Sequence, residues 1–130
     1  MSATDSAAFM EKVRAVAKAE GRYDVEAYLF VFQALDFTLK RLGERRHVAG
    51  EELLEGIRDF ALINFGAMGK SVFNQWGVAE SMDFGRIVFA LVEAELMSKT
   101  DRDSLADFST GFDFAKTFLD DYVPSGLGEE

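Results

Sequence analysis

The chain has no cysteine, and among its 130 residues there is one proline and one histidine. Lack of cysteine excludes a disulfide scaffold and any cysteine-ligated zinc or iron–sulfur centre. It also fits a reducing compartment, so a cytoplasmic location is expected. With His47 alone, no multi-histidine metal site can form within one chain. Long apolar runs are missing too. None approaches the roughly 20 residues that a bilayer crossing requires, and no membrane partner is expected. The start, Met1-Ser2-Ala3-Thr4-Asp5, lacks a basic region followed by an apolar one, so no secretory signal is expected. Basic residues are scarce: 14 lysines and arginines stand against 23 acids, a formal net charge of −9. The imbalance grows along the chain, from +1 over residues 1–50 to −4 over 51–100 and −6 over 101–130. That sign disfavours polyanions, and nucleic acid is not an expected partner.

What the chain does contain is apolar and helical in period. Hydrophobic residues make up 48% of it, with 13 phenylalanines against three tyrosines and one tryptophan. Phenylalanine has no polar handle, so this bias points to core filling before chemistry. Phe9, Val13 and Val16 predict a first helix over 6–20, stopped by Gly21. A second opens at the N-cap Asp24 and carries Val25, Tyr28, Leu29, Phe32, Leu35, Leu39 and Leu42 as one stripe. Phe30, Val31 and Phe37 widen that stripe, so this helix is central; Gly43 ends it. A third starts near Gly50, with Glu51 and Glu52 at the favourable end of its dipole, and stops at Gly66. A short fourth covers Ala67 to Trp76. Ser81 caps a fifth running to about Leu96, and Asp113 caps a last short one through Phe114, Phe118, Leu119 and Tyr122. The expected fold is therefore mainly α, a compact bundle of five to six helices. Residues 1–123 read as one helical domain and 124–130 as a flexible acidic tail.

The stretch 97–108 is ambiguous. Thr100-Asp101-Arg102-Asp103-Ser104 is turn-like, so its flanks can pair as a short β-hairpin, giving a winged-helix-like alternative. A DNA reader would want basic or amide side chains leading the third helix of such a wing. Met82, Asp83 and Arg86 stand there, with Glu93 and Glu95 following, which suits groove binding poorly.

Three motifs invite chemistry and fall short of it. Gly66-Ala67-Met68-Gly69-Lys70-Ser71 has the outline of a phosphate loop, but the required first glycine is Asn64 and no strand precedes it. His47, Glu51 and Glu55 line up at one-turn spacing as metal ligands only if the helix extends upstream; a helix-start role for His47, with Val48 as a staple, is the preferred reading. Asp101, Asp103 and Asp107 lack the glycine and glutamate of a calcium loop, Ala106 and Phe112 standing at those places. The adjacent or alternate acids Glu51/Glu52, Glu93/Glu95 and Asp120/Asp121 come with no cue for a raised pKa. No catalytic residue, metal or cofactor is expected.

Lys40, Arg41, Arg45 and Arg46 form the only basic cluster, next to His47. It can receive a phosphate, nucleic acid or an acidic partner, or simply complement the helix end and bridge to Glu44, Glu51 and Glu52. Trp76 is a core anchor or a half-exposed hot spot. As a contact set, Lys40, Arg41, Arg45, Arg46, His47 and Trp76 are the residues selected for partner binding.

The order of Tyr28-Leu29-Phe30, Arg46-His47-Val48, Glu52-Leu53-Leu54-Glu55-Gly56-Ile57-Arg58, Phe65-Gly66, Trp76-Gly77-Val78 and Asp83-Phe84-Gly85-Arg86-Ile87-Val88-Phe89 resembles a small bacterial protein family without an assigned activity. The likeness spans roughly residues 24–120. It implies a bacterial single-domain protein and carries over no functional residue. The expected function is a non-enzymatic interaction or regulatory module that binds an unknown protein partner or a second copy of itself. The alternative is a nucleic-acid-binding regulator of winged-helix type.

Overall fold

The computed structural model describes residues 3–44, 46–98, 103–109 and 111–120, with side chains omitted at 3–6, 119 and 120. Among the described residues the fold is a bundle of five α-helices: α1 Ala3–Glu20, α2 Val25–Leu42, α3 Gly50–Phe65, α4 Gly69–Gln75 and α5 Ser81–Glu93. No helix among the described residues is long and apolar enough to cross a membrane.

The signals that delimit α2 work as their chemistry requires. Asp24 accepts a bond from the Glu26 amide at 2.9 Å. Gly43 adopts φ 78° and returns its own N–H to the Leu39 carbonyl at 3.0 Å. That left-handed conformation carries no penalty for glycine. α2 is the central element, with Ala27, Tyr28, Phe30, Val31, Ala34 and Thr38 all buried. It packs most extensively on α3, and Gly56 explains how closely. A methyl group there would land on the Thr38 hydroxyl, which itself donates to the Ala34 carbonyl at 2.7 Å.

α2 and α5 both begin at one end of the bundle, and α3 finishes there. That end is filled with rings. Phe73 of α4 is fully buried and lies 5.0–5.8 Å, centroid to centroid, from Phe30, Trp76, Phe84, Phe114 and Phe118. Phe118 belongs to a π-helical turn, Lys116–Asp120, and any side chain at Gly69 would meet its ring.

Several boundaries differ from the sequence expectations. α4 starts at Gly69 rather than Ala67, behind a 3-10 turn over Gly66–Met68, and ends at Gln75. α1 begins at Ala3, ahead of residue 6. The N-cap of α5 is Glu80, and Asp83 supplies the carboxylate that bonds the Ala79 and Glu80 amides, at 2.8 and 3.1 Å. Ser81 instead donates to the Phe112 carbonyl at 3.1 Å, tying the C-terminal segment to α5. α5 also ends at Glu93, short of Leu96. Glu95 takes a left-handed φ of 62°, its N–H bonds the Val92 carbonyl, and that of Leu96 bonds the Leu91 carbonyl. This pair of hydrogen bonds is the usual glycine-borne helix stop, here built on a glutamate.

The hairpin allowed for 97–108 is also corrected. Leu105–Phe108 is a 3-10 turn, started by Asp107 accepting from the Ser104 amide at 3.1 Å. A local side-chain bond of this kind competes with strand pairing. Phe108 is then buried between α3 and α5, where Gly50 and Gly85 leave room: a methyl at Gly85 would meet its Cβ and Cγ at 2.8 Å. Residues 99–102, and the tail assigned to 124–130, lie outside the described residues.

Candidate functional site

At the end of the bundle away from Phe73, the same three helices do not close. Between them lies a cavity of about 710 Å³. α2 contributes Phe32, Leu35 and Leu39; α3 contributes Gly50 and Leu53; α5 contributes Val88, Phe89 and Val92. Leu96, Met97 and Phe108 complete the apolar wall. Every ionisable group lining it lies outside the five α-helices: Arg46 and His47 before α3, then Glu95, Asp103 and Asp107 after α5. The site therefore has apolar walls and a polar rim, the general form of a small-ligand pocket.

The start of α3 organises part of that rim. Ala49 is the N-cap, and Glu52 reaches back to accept its N–H at 3.0 Å. Val48 and Leu53, both against the cavity, occupy the two positions of a hydrophobic staple. Glu52 also receives both terminal nitrogens of Arg46, at 2.7 and 3.1 Å. The guanidinium bond comes first and the Ala49 amide second in pulling the Glu52 carboxyl down to about 2. Arg46 has Glu44 at 3.2 Å as well, and its pKa rises mainly through Glu52. Nε2 of His47 meets Asp103 Oδ2 at 2.7 Å, joining the connection before α3 to the segment after α5.

The selected contact residues separate into three places. Arg46 and His47 are on the rim. Lys40 and Arg41 are not: Lys40 pairs with Asp36 at 2.9 Å beside a shallow groove on Phe37 and Phe60. Arg41 pairs with Asp59 at 2.6 Å and lies 5.0 Å over the Phe37 ring. Burial pushes the Asp59 carboxyl up, but bonds from Arg58 and Arg41 outweigh it and hold it below its ordinary range. Trp76 is half-buried in the aromatic end, 5.3 Å from Phe30 and 5.9 Å from Phe65. Arg45 lies outside the described residues.

Two further polar groups are buried. Asp83 accepts the Tyr23 hydroxyl at 2.6 Å and Arg86 at 2.7 Å besides its two amides. Burial raises its pKa, yet these bonds outweigh it and leave the carboxyl below the usual range. With every acceptor site used, Asp83 holds the α5 start to the α1–α2 connection. Tyr28 is fully buried, and its hydroxyl has no hydrogen-bond partner among the described residues. Burial first, then the charge of Glu20, pushes its pKa to about 12. No group of three or more histidines and acids among the described residues is placed to hold a metal ion.

Sequence pattern did not reveal the cavity, whose walls come from residues 32 to 108. The residues that widen the α2 stripe, Phe30, Val31 and Phe37, do not line it; Phe32, Leu35 and Leu39 of the stripe itself do. No protein-family model, curated protein or solved structure matches this chain.

Proposed function

We propose that the chain is a non-enzymatic interaction or regulatory module that takes an apolar group into the cavity between α2, α3 and α5. The observation that carries this reading is the cavity itself: about 710 Å³, apolar on three helices and polar only along its connections. Pockets of roughly 300–1,000 Å³ with such a division are where proteins hold organic ligands.

Contact through the basic corner and Trp76 together has less support, because those residues do not share a face and the described cations are already paired. The nucleic-acid alternative has less still, since Lys40, Arg41 and Arg46 of the corner it would use are paired with acids and Arg86 on α5 is engaged by Asp83. The test is titration with an uncharged environment-sensitive dye. One dye per chain should bind, and Val92→Trp, which fills the cavity, should remove binding while leaving the helical circular dichroism intact. No dye binding to the wild type, or equal binding to the folded variant, defeats the proposal.

A further inference from the structure

The rim and walls together specify what kind of group the cavity prefers, and this step rests on the reading of the cavity as a binding site. Three phenylalanine rings, Phe32, Phe89 and Phe108, border it. Phe89 and Phe108 meet edge to face, with centroids 6.4 Å apart and planes at 87°. Ring faces attract cations through their quadrupole, most strongly where water is excluded. The rim adds carboxylates at Glu95, Asp103 and Asp107. Against them stand Arg46, already bidentate on Glu52 with Glu44 beside it, and His47, already on Asp103. The C-terminal ends of α2 and α5 also lie at this end and carry partial negative charge, against the one N-terminus of α3 at Gly50, whose dipole already faces Glu51 and Glu52.

Glu95 points the same way. A glutamate at φ 62° occupies a position that glycine fills without strain, and here it places a carboxylate on the rim. Strain of this kind tends to persist where a site needs the side chain. We propose that the cavity binds an organic ammonium ion with an apolar body, the body lying on the helix walls and the charged head among the phenylalanine rings and the Glu95 and Asp107 carboxylates.

Three probes of equal chain length test it by calorimetry, each below its aggregation threshold: decyltrimethylammonium, decanol and decanoate. The ammonium should bind at least about tenfold more tightly than the other two, as a desolvated cation–π contact allows. Equal affinity for all three would overturn the inference and leave the binding module standing. Tighter decanoate would also overturn it, assigning the head group to Arg46. Binding of none would remove the underlying reading as well. Two variants separate role from stability. Glu95→Gln should lower ammonium affinity about three- to tenfold and leave decanol unchanged. Glu95→Gly should raise the melting temperature while weakening the ammonium in the same way; a variant more stable with unaltered affinity would show that the carboxylate has no part in binding.

Discussion

Phenylalanine lines both ends of the bundle, but the two ends are packed differently. Where α4 and the turn Lys116–Asp120 dock, Phe73 is enclosed by five rings and is fully buried. Where α2 and α5 finish, Phe32 and Phe89 are only half-buried and face a cavity of about 710 Å³. Ring content alone does not explain the contrast. The closed end receives extra elements that fit because Gly69 leaves room for Phe118. Among the described residues the open end receives Phe108, seated between Gly50 and Gly85, and the ionisable part of its lining lies outside the five α-helices. Close packing is the default in protein interiors, and the proposed binding reading rests on this departure from it.

The most direct way to break this comparison is to truncate one ring at each end. Phe73→Ala should cost about 3–5 kcal/mol, the range for a fully enclosed aromatic that leaves a hole behind. Phe89→Ala should cost only about 1–2 kcal/mol, since part of its surface already faces open space. Urea unfolding of both variants provides the comparison. Equal losses would mean that the two ends are packed alike and that the cavity is not a relaxed feature of the fold.

A second experiment probes the seam that joins the ends. Gly56→Ala drives a methyl into Thr38 and should destabilise by about 1–3 kcal/mol, the usual cost of overpacking. Adding Thr38→Ala should recover part of the loss, because the clash is with the hydroxyl; the residual reflects the lost bond to the Ala34 carbonyl. Simple additivity of the two changes would show that the helices are free to separate. The same contact shows what sequence could and could not convey. Helix caps at Asp24 and Gly43 were legible because each acts within one turn of chain. Gly56 lies inside a helix, where glycine costs about 1 kcal/mol relative to alanine, yet its neighbour Thr38 is set by tertiary packing. The stop at Glu95 was hidden because the left-handed residue is not glycine, and the Leu105–Phe108 turn because the Asp107 carboxylate, bonded to the Ser104 amide, outcompeted a strand-like pattern. The bridges from Arg46 to Glu44 and Glu52 were legible because they lie close in sequence, whereas Asp59, the partner of Arg41, and Asp103, the partner of His47, are far along the chain.

Tyr28 lies in the well-packed part of α2 and carries a smaller, opposite prediction. Its unpartnered buried hydroxyl incurs a desolvation cost with no bond in return. Tyr28→Phe should therefore stabilise the fold by about 1 kcal/mol in urea unfolding. Because burial raises the folded-state pKa to about 12 from an ordinary 10.0, the unfolded chain ionises first. Wild-type stability should then fall between about pH 10 and 12, and the Phe variant should lack that component. Loss of stability in Tyr28→Phe would reveal a bond to the hydroxyl.

The smallest effect belongs to the rim, where charge meets water. Glu52 titrates near 2 in the folded chain against an ordinary 4.5, held first by Arg46 and then by the Ala49 amide. A lowered carboxylate contributes its stability fully above about pH 4.5 and loses it as pH falls toward about 2. Arg46→Ala should move the carboxyl back toward 4.5 in an NMR titration, but not the whole way, because the Ala49 N–H remains. The stability change should be slight and should shrink with salt, as an exposed ion pair requires. A large salt-insensitive loss would instead show that Arg46 braces the cavity wall. In that case the open end would be held in shape by the connection before α3, and ligand affinity should fall in Arg46→Ala even for the uncharged decanol probe.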